Sequence, residues 1–192
     1  VPSQGLDVVR ADVAAATSRT QVFSNPGDEP ATIPGTGFNI GATITRPATP
    51  VAGTRLPAVI LLAAAGINDR DGQAHGVPTL GQLAGAIAKA GYLVVRYDKR
   101  GYGQSGGRSE SSTLTDQAED VRSVVRWLNE RKDVDPKRIA VAGHSEGAWV
   151  AMLAAARERK IAAVVSLAGA GTTGSELVLT QQQKALEQSA LT

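Results

Sequence analysis

The chain has 192 residues, 42% of them apolar, and its 20 basic and 18 acidic side chains leave a formal charge of +2. That length suits one domain with a real core, and so balanced a charge argues against a nucleic-acid binder. With no cysteine, disulfides, thiolate metal sites and cysteine nucleophiles are excluded. No apolar run reaches the ~20 residues that span a bilayer. The chain starts with Val1 rather than Met, so both a cytoplasmic location and export after removal of a leader stay open. Only seven residues are aromatic, which leaves Ala, Val, Leu and Ile to fill the core.

Residues 1–56 are rich in Gly, Pro, Thr and Ala. Two stretches in this section read as strands, Gly5–Val13 and Phe38–Thr45. The second alternates Phe38, Ile40, Ala42 and Ile44 on one face. SNPGDEPATIPGTG between them reads as a loop by composition. The rhythm then changes. Ala58–Ala63 is a continuous apolar run, as expected of a strand buried on both faces. Val77–Ala90 carries helical spacing at Leu80, Leu83, Ala84, Ile87 and Ala88, with Gly91 placed to end the helix. Tyr92–Tyr97 reads as a strand and is followed by a glycine-rich loop. A helix over Leu114–Arg131 has Val121, Val124, Val125 and Leu128 as its buried stripe. Ile139–Ala142 reads as a strand, Glu146–Arg159 as a helix, Ile161–Ala168 as a strand and Ser175–Leu191 as a helix. This alternation predicts an α/β fold, a mostly parallel sheet with helices on both faces and antiparallel strands at its N-terminal side. Three regions follow: 1–56 as N-terminal strands and loop, 57–174 as the α/β core, and 175–192 as the start of a further helical segment.

The chemistry concentrates in GHSEG, which fits G-x-S-x-G with Gly143, Ser145 and Gly147. A serine nucleophile on a sharp strand-to-helix turn needs small neighbours, because there is no room for a Cβ beside it. The turn lifts the hydroxyl above the sheet edge and aims the Glu146 backbone N–H at a developing oxyanion, reinforced by the helix N-terminus. The apolar strand Ile139–Ala142 before the motif and the Ala-rich helix after it supply the required context. The bland alternative is a tight βα turn whose Ser145 merely caps the helix. A second glycine motif, GYGQSG at 101–106, fits G-x-G-x-x-G after a strand. The loop residues that follow, instead of a helix, argue against a dinucleotide site. Asp98, Arg100 and Ser105 read as loop-fixing residues, as do Asp69, Arg70 and Asp71. The latter three also follow a strand's carboxyl end, where they would shape a pocket mouth.

Three segments together resemble the α/β-hydrolases, and within them esterases and serine aminopeptidase-like hydrolases: LLAAAGINDRDG, VVRYDKRGYGQSGG and DPKRIAVAGHSEG. SLAGAGTTGSELVLTQQQ resembles that family's next strand and the lead into its lid. The resemblance runs from about Leu56 to the C-terminus. It implies a second oxyanion N–H from the turn after the first buried strand, which falls on Ala65. Relatives usually carry Gly in that turn, whereas this chain has Ala63, Ala64 and Ala65. The family implies no metal or cofactor.

In α/β-hydrolases the triad runs Ser, then Asp or Glu, then His along the chain. No histidine follows His144 here. The turn geometry directs His144 away from the Ser145 hydroxyl, and His75 reads as a loop histidine. The resemblance therefore implies that the base and its acid lie on polypeptide outside these residues, a C-terminal piece completing the sheet. Without it the last strand would expose a long apolar edge. The expected activity is that of a serine hydrolase, a carboxylesterase cleaving small acyl esters through an acyl-enzyme. A peptidase or thioesterase of the same fold is the first alternative, and a non-catalytic binding protein or inactive fragment is the second.

Overall fold

A computed structural model describes residues 23–49, 53–66, 69–74 and 77–189. The strand expected at Gly5–Val13 and the histidine at 75 lie outside them. Among the described residues, eight strands and four helices follow in chain order: β1 (Asp28–Pro34), β2 (Asn39–Thr45), β3 (Leu56–Leu62), β4 (Gln73–Ala74), β5 (Val77–Pro78), α1 (Thr79–Lys89), β6 (Leu93–Tyr97), α2 (Leu114–Glu130), β7 (Val134–His144), α3 (Glu146–Ala155), β8 (Ile161–Leu167) and α4 (Gly174–Ser189). Six strands form one sheet in the order β1-β2-β6-β3-β7-β8, and β4 and β5 make a separate two-stranded ladder. The pairs β6-β3, β3-β7 and β7-β8 are parallel, whereas β1-β2 and β2-β6 are antiparallel.

The alternation of side chains along β3 explains why its apolar run has no polar interruption. Val59 and Leu61 pack with Leu80, Ala84 and Ala88 of α1 on one face. Ala58, Ile60 and Leu62 meet Val121, Val124 and Leu128 of α2 and Val150 and Ala154 of α3 on the other. Both faces are thus covered, as parallel sheets require. The start of α2 is fixed by a reciprocal capping box. Thr113 accepts from the Asp116 backbone N–H, and the Asp116 carboxylate accepts from the Thr113 backbone.

One expectation is corrected outright. The stretch read as a loop, SNPGDEPATIPGTG, contains β1, which pairs with β2 from Asp28↔Thr45 to Pro34↔Asn39. Pro30 and Pro34 conceal it in the sequence. Among the described residues β1 is the sheet edge, where a proline forfeits no ladder bond that a neighbour needs, and Ile33 is fully buried. The strand read at Ile139–Ala142 also begins earlier, because Val134 already pairs with Leu56.

At the other edge, β8 is apolar in sequence but none of its residues is buried, with Ile161, Val164 and Leu167 half-buried and the rest exposed. Val165 on it and Met152 on the adjacent α3 are 45% and 46% exposed. Helix α4 has no buried residue, and Val178, Leu179 and Leu186 stand in solvent. Among the described residues no helix is long and apolar enough to cross a membrane.

Candidate active site

The parallel strands β3, β6 and β7 all end at one edge of the sheet, where α/β folds gather their chemistry. Ser145 occupies the junction of β7 and α3 with φ 54° and ψ −116°. Besides Ala168, it is the only non-glycine with positive φ among the described residues. That conformation is costly for an L-residue and persists only where its surroundings impose it.

Those surroundings are visible. The Ser145 backbone N–H donates to the Leu167 carbonyl at the end of β8 (2.9 Å), and the Ser145 carbonyl accepts from the Ala148 N–H (3.0 Å). A Cβ on Gly143 would stand 2.0 Å from the Gly147 carbonyl oxygen. One on Gly147 would stand 2.7 Å from the Ala63 oxygen and 2.9 Å from the Leu62 oxygen. The two glycines therefore allow the turn to fold on itself and to press α3 against the end of β3. The Ser145 side chain makes no capping hydrogen bond to α3, so capping does not explain why a serine stands there. Ser145 is half-buried.

The same packing brings the turn 63–66 beside the start of α3. Lys99, just past β6, joins the two, since its Nζ donates to the Ala64 carbonyl and, at 3.1 Å, to Glu146 Oε1. The residues flanking Lys99 are clamped. Asp98 accepts from Arg70 Nε (3.0 Å) and Nη2 (2.6 Å) and from the Gln104 backbone (2.9 Å). Burial works to raise the Asp98 pKa, but the hydrogen bonds from Arg70 and Gln104 outweigh it and hold the carboxyl below its ordinary value. Arg100 grips Asp120 through Nε and Nη2, both at 2.8 Å. Burial pushes the Asp120 carboxyl up despite that guanidinium. Ser105 Oγ donates to the Asp98 carbonyl and accepts from the Gly41 N–H. Asp71 takes Arg96 Nε at 2.7 Å. The polar residues of DRDG and DKRG thus lace three loops together at the sheet edge.

Two cavities flank the turn 63–66. One, of about 390 Å³, is lined by Gly66, Lys99, Tyr102, Gln117 and Glu146 among others. The second, about 250 Å³ and more apolar, is lined by Ala63, Ala64, Leu80, Leu83, His144 and Leu167 among others. His144 is exposed, and no hydrogen bond joins it to Ser145 among the described residues.

Residues 36–189 match the X-Pro dipeptidyl-peptidase (S15) family. The chain belongs to that family. Its fold is that of the α/β-hydrolases, shared with the α/β-hydrolase GrgF of a Penicillium species. The TM-score with that structure is 0.63 at 23% identity, covering 85% of this chain and 54% of GrgF. An uncharacterised Mycobacterium tuberculosis protein is 44% identical over 71 residues, 37% of this chain and 24% of that protein. The esterase EstD of Thermotoga maritima is 35% identical over 97 residues, 49% of this chain and 22% of EstD. The stretches matched are under a third of these curated relatives, and the chain spans about half the length of GrgF.

Within this S15 member the structure assembles Ser145, Glu146 and the turn holding Ala65 at one sheet edge. His144 stands near them but faces the apolar cavity. Lys99 was not legible as a site residue in the sequence, where DKRG reads only as part of a resemblance. The signal was its position, the second residue of the loop after the parallel strand β6, at the same edge as Ser145.

Proposed function

We propose that the chain carries the nucleophile of a serine hydrolase that cleaves small acyl esters. Ser145 Oγ attacks the ester carbonyl carbon while a histidine base takes its proton. The N–H groups of Glu146 and Ala65 receive the oxyanion. The C–O bond breaks, the alcohol leaves with the proton, and water then releases the acid from the acyl-serine. The observation that carries this reading is the backbone of Ser145, held at φ 54°, ψ −116° with its side chain not used as a cap. Strain retained on a serine at the carboxyl edge of a parallel sheet favours a chemical role over a structural one.

The base and its carboxylate are assigned to polypeptide beyond these residues. Among the described residues no hydrogen bond joins His144 to Ser145, and the match with GrgF covers 54% of that chain. The exposed apolar side of β8 is a natural seat for the strands that would carry them. Helix α4, apolar at Val178, Leu179 and Leu186 but unpacked, is assigned to the start of a lid. A second reading, a peptidase, is favoured by the family itself.

The test is turnover of p-nitrophenyl acetate, a thioester and an Xaa-Pro anilide by the whole protein and its Ser145→Ala variant. Ester turnover that falls on the order of 10⁴-fold in the variant supports the proposal. Anilide turnover exceeding ester turnover moves the assignment to the peptidase. Unchanged ester turnover in Ser145→Ala refutes both.

A further inference from the structure

We propose that Lys99 is a positioning residue that sets the orientation of the oxyanion-binding peptide between Ala64 and Ala65. The inference rests on the serine-hydrolase reading above and goes one step deeper into the same site.

The carbonyl of Ala64 and the N–H of Ala65 belong to one peptide unit. In a planar trans peptide they point in opposite directions. Whatever fixes the carbonyl therefore fixes the N–H. Lys99 Nζ donates to the Ala64 oxygen and at the same time to Glu146 Oε1. Hydrogen bonds from an ammonium are stronger than neutral ones and gain further weight away from water. The Lys99 side chain is only 15% exposed, so few water molecules compete for it. Turned over, the peptide would lose that bond and face its own N–H at a cation. The ammonium thus stabilises one orientation and opposes the other.

Gly66, next in the chain, has φ +93° with nothing within 4 Å of its missing Cβ. Glycine adopts that φ without the penalty a Cβ would bring. Lys99 itself is well founded, because Asp98 and Arg100 on either side are locked by Arg70 and Asp120. Its second partner, Glu146, is the residue whose backbone N–H is the other proposed donor. One side chain therefore ties the two halves of the oxyanion site together.

Lys99→Met, Lys99→Arg and Ser145→Ala in the whole protein test this. The readouts are ester kcat and KM, together with the affinity of a trifluoromethyl ketone, which forms a tetrahedral adduct on a nucleophilic serine. Losing control of one oxyanion donor is expected to lower kcat on the order of 10²-fold. The ketone's affinity should fall by a similar factor while KM stays within about threefold of wild type. Lys99→Arg, which keeps a cation with donors, should recover most of both. Lys99→Met with wild-type kcat and ketone affinity overturns the inference, as does a loss confined to melting temperature or to KM. If Lys99→Met does not fold, Glu146→Gln decides. Weakening ketone affinity more than KM supports the tether, and equal weakening overturns it. An inactive Ser145→Ala beside a fully active Lys99→Met refutes the tether alone, whereas an active Ser145→Ala refutes the reading of the site.

Discussion

Replacing Gly143 by alanine probes the turn directly. The added Cβ would sit 2.0 Å from the Gly147 oxygen, 2.2 Å from its carbonyl carbon and 2.5 Å from the Ala148 nitrogen. Contacts under 3.0 Å are essentially never seen for a real Cβ, and all three atoms here are backbone. The turn would have to open by about 1 Å. Overpacking of this kind costs about 1–3 kcal/mol, and rigid backbone on both sides places Gly143→Ala near 3 kcal/mol. With a urea dependence of about 2 kcal/mol per molar, the unfolding midpoint should fall by roughly 1.5 M. A displacement of that size at the proposed nucleophile should also slow phosphonylation of Ser145 on the order of 10²-fold. Gly171→Ala is the control, since its Cβ meets nothing within 4 Å and its φ is not positive. It should shift the midpoint by no more than about 0.3 M. A Gly143→Ala variant with a midpoint and labelling rate matching the Gly171→Ala control would refute the reasoning.

Ser145→Gly should remove strain as well as activity. Relief of a positive-φ residue is worth on the order of 1 kcal/mol, so the variant should melt higher than wild type while hydrolysing no ester. A lower melting temperature would contradict the strain. Asp133 yields a pH prediction. Burial raises its pKa, but the hydrogen bonds from Arg131 and Arg46 prevail and hold it at about 2, against an ordinary 3.8. The unfolded chain therefore binds this proton more readily. The stabilisation is fully present above about pH 4 and is lost as pH falls toward 2. Urea midpoints of wild type and Asp133→Asn should accordingly differ at pH 7 and converge near pH 2; a gap independent of pH would exclude the linkage.

The elements whose residues announce their own environment were legible. The alternation of β2, the unbroken apolar run of β3 and the stripe of α2 each record which faces are covered. The strand before Ser145 and the helix after it define the turn, because only glycines fit at 143 and 147. What escaped the sequence depends on position in the sheet. β1 carries two prolines that only an edge strand tolerates, and nothing local reveals that edge. At the start of β7 only Val134 is paired, with Leu56, and the polar stretch DPKR separates it from the apolar run that begins at Ile139. Lys99 escaped because its role lies in two contacts, one 35 and one 47 residues away in the chain.

The most direct test of the central claim is the intact mass of the whole protein before and after a serine-directed phosphonate, followed by peptide mapping. A gain of one phosphonyl group on the peptide containing Ser145, absent from Ser145→Ala, is the predicted result. No gain in mass, or a label on another residue, would contradict the assignment of Ser145 as the nucleophile.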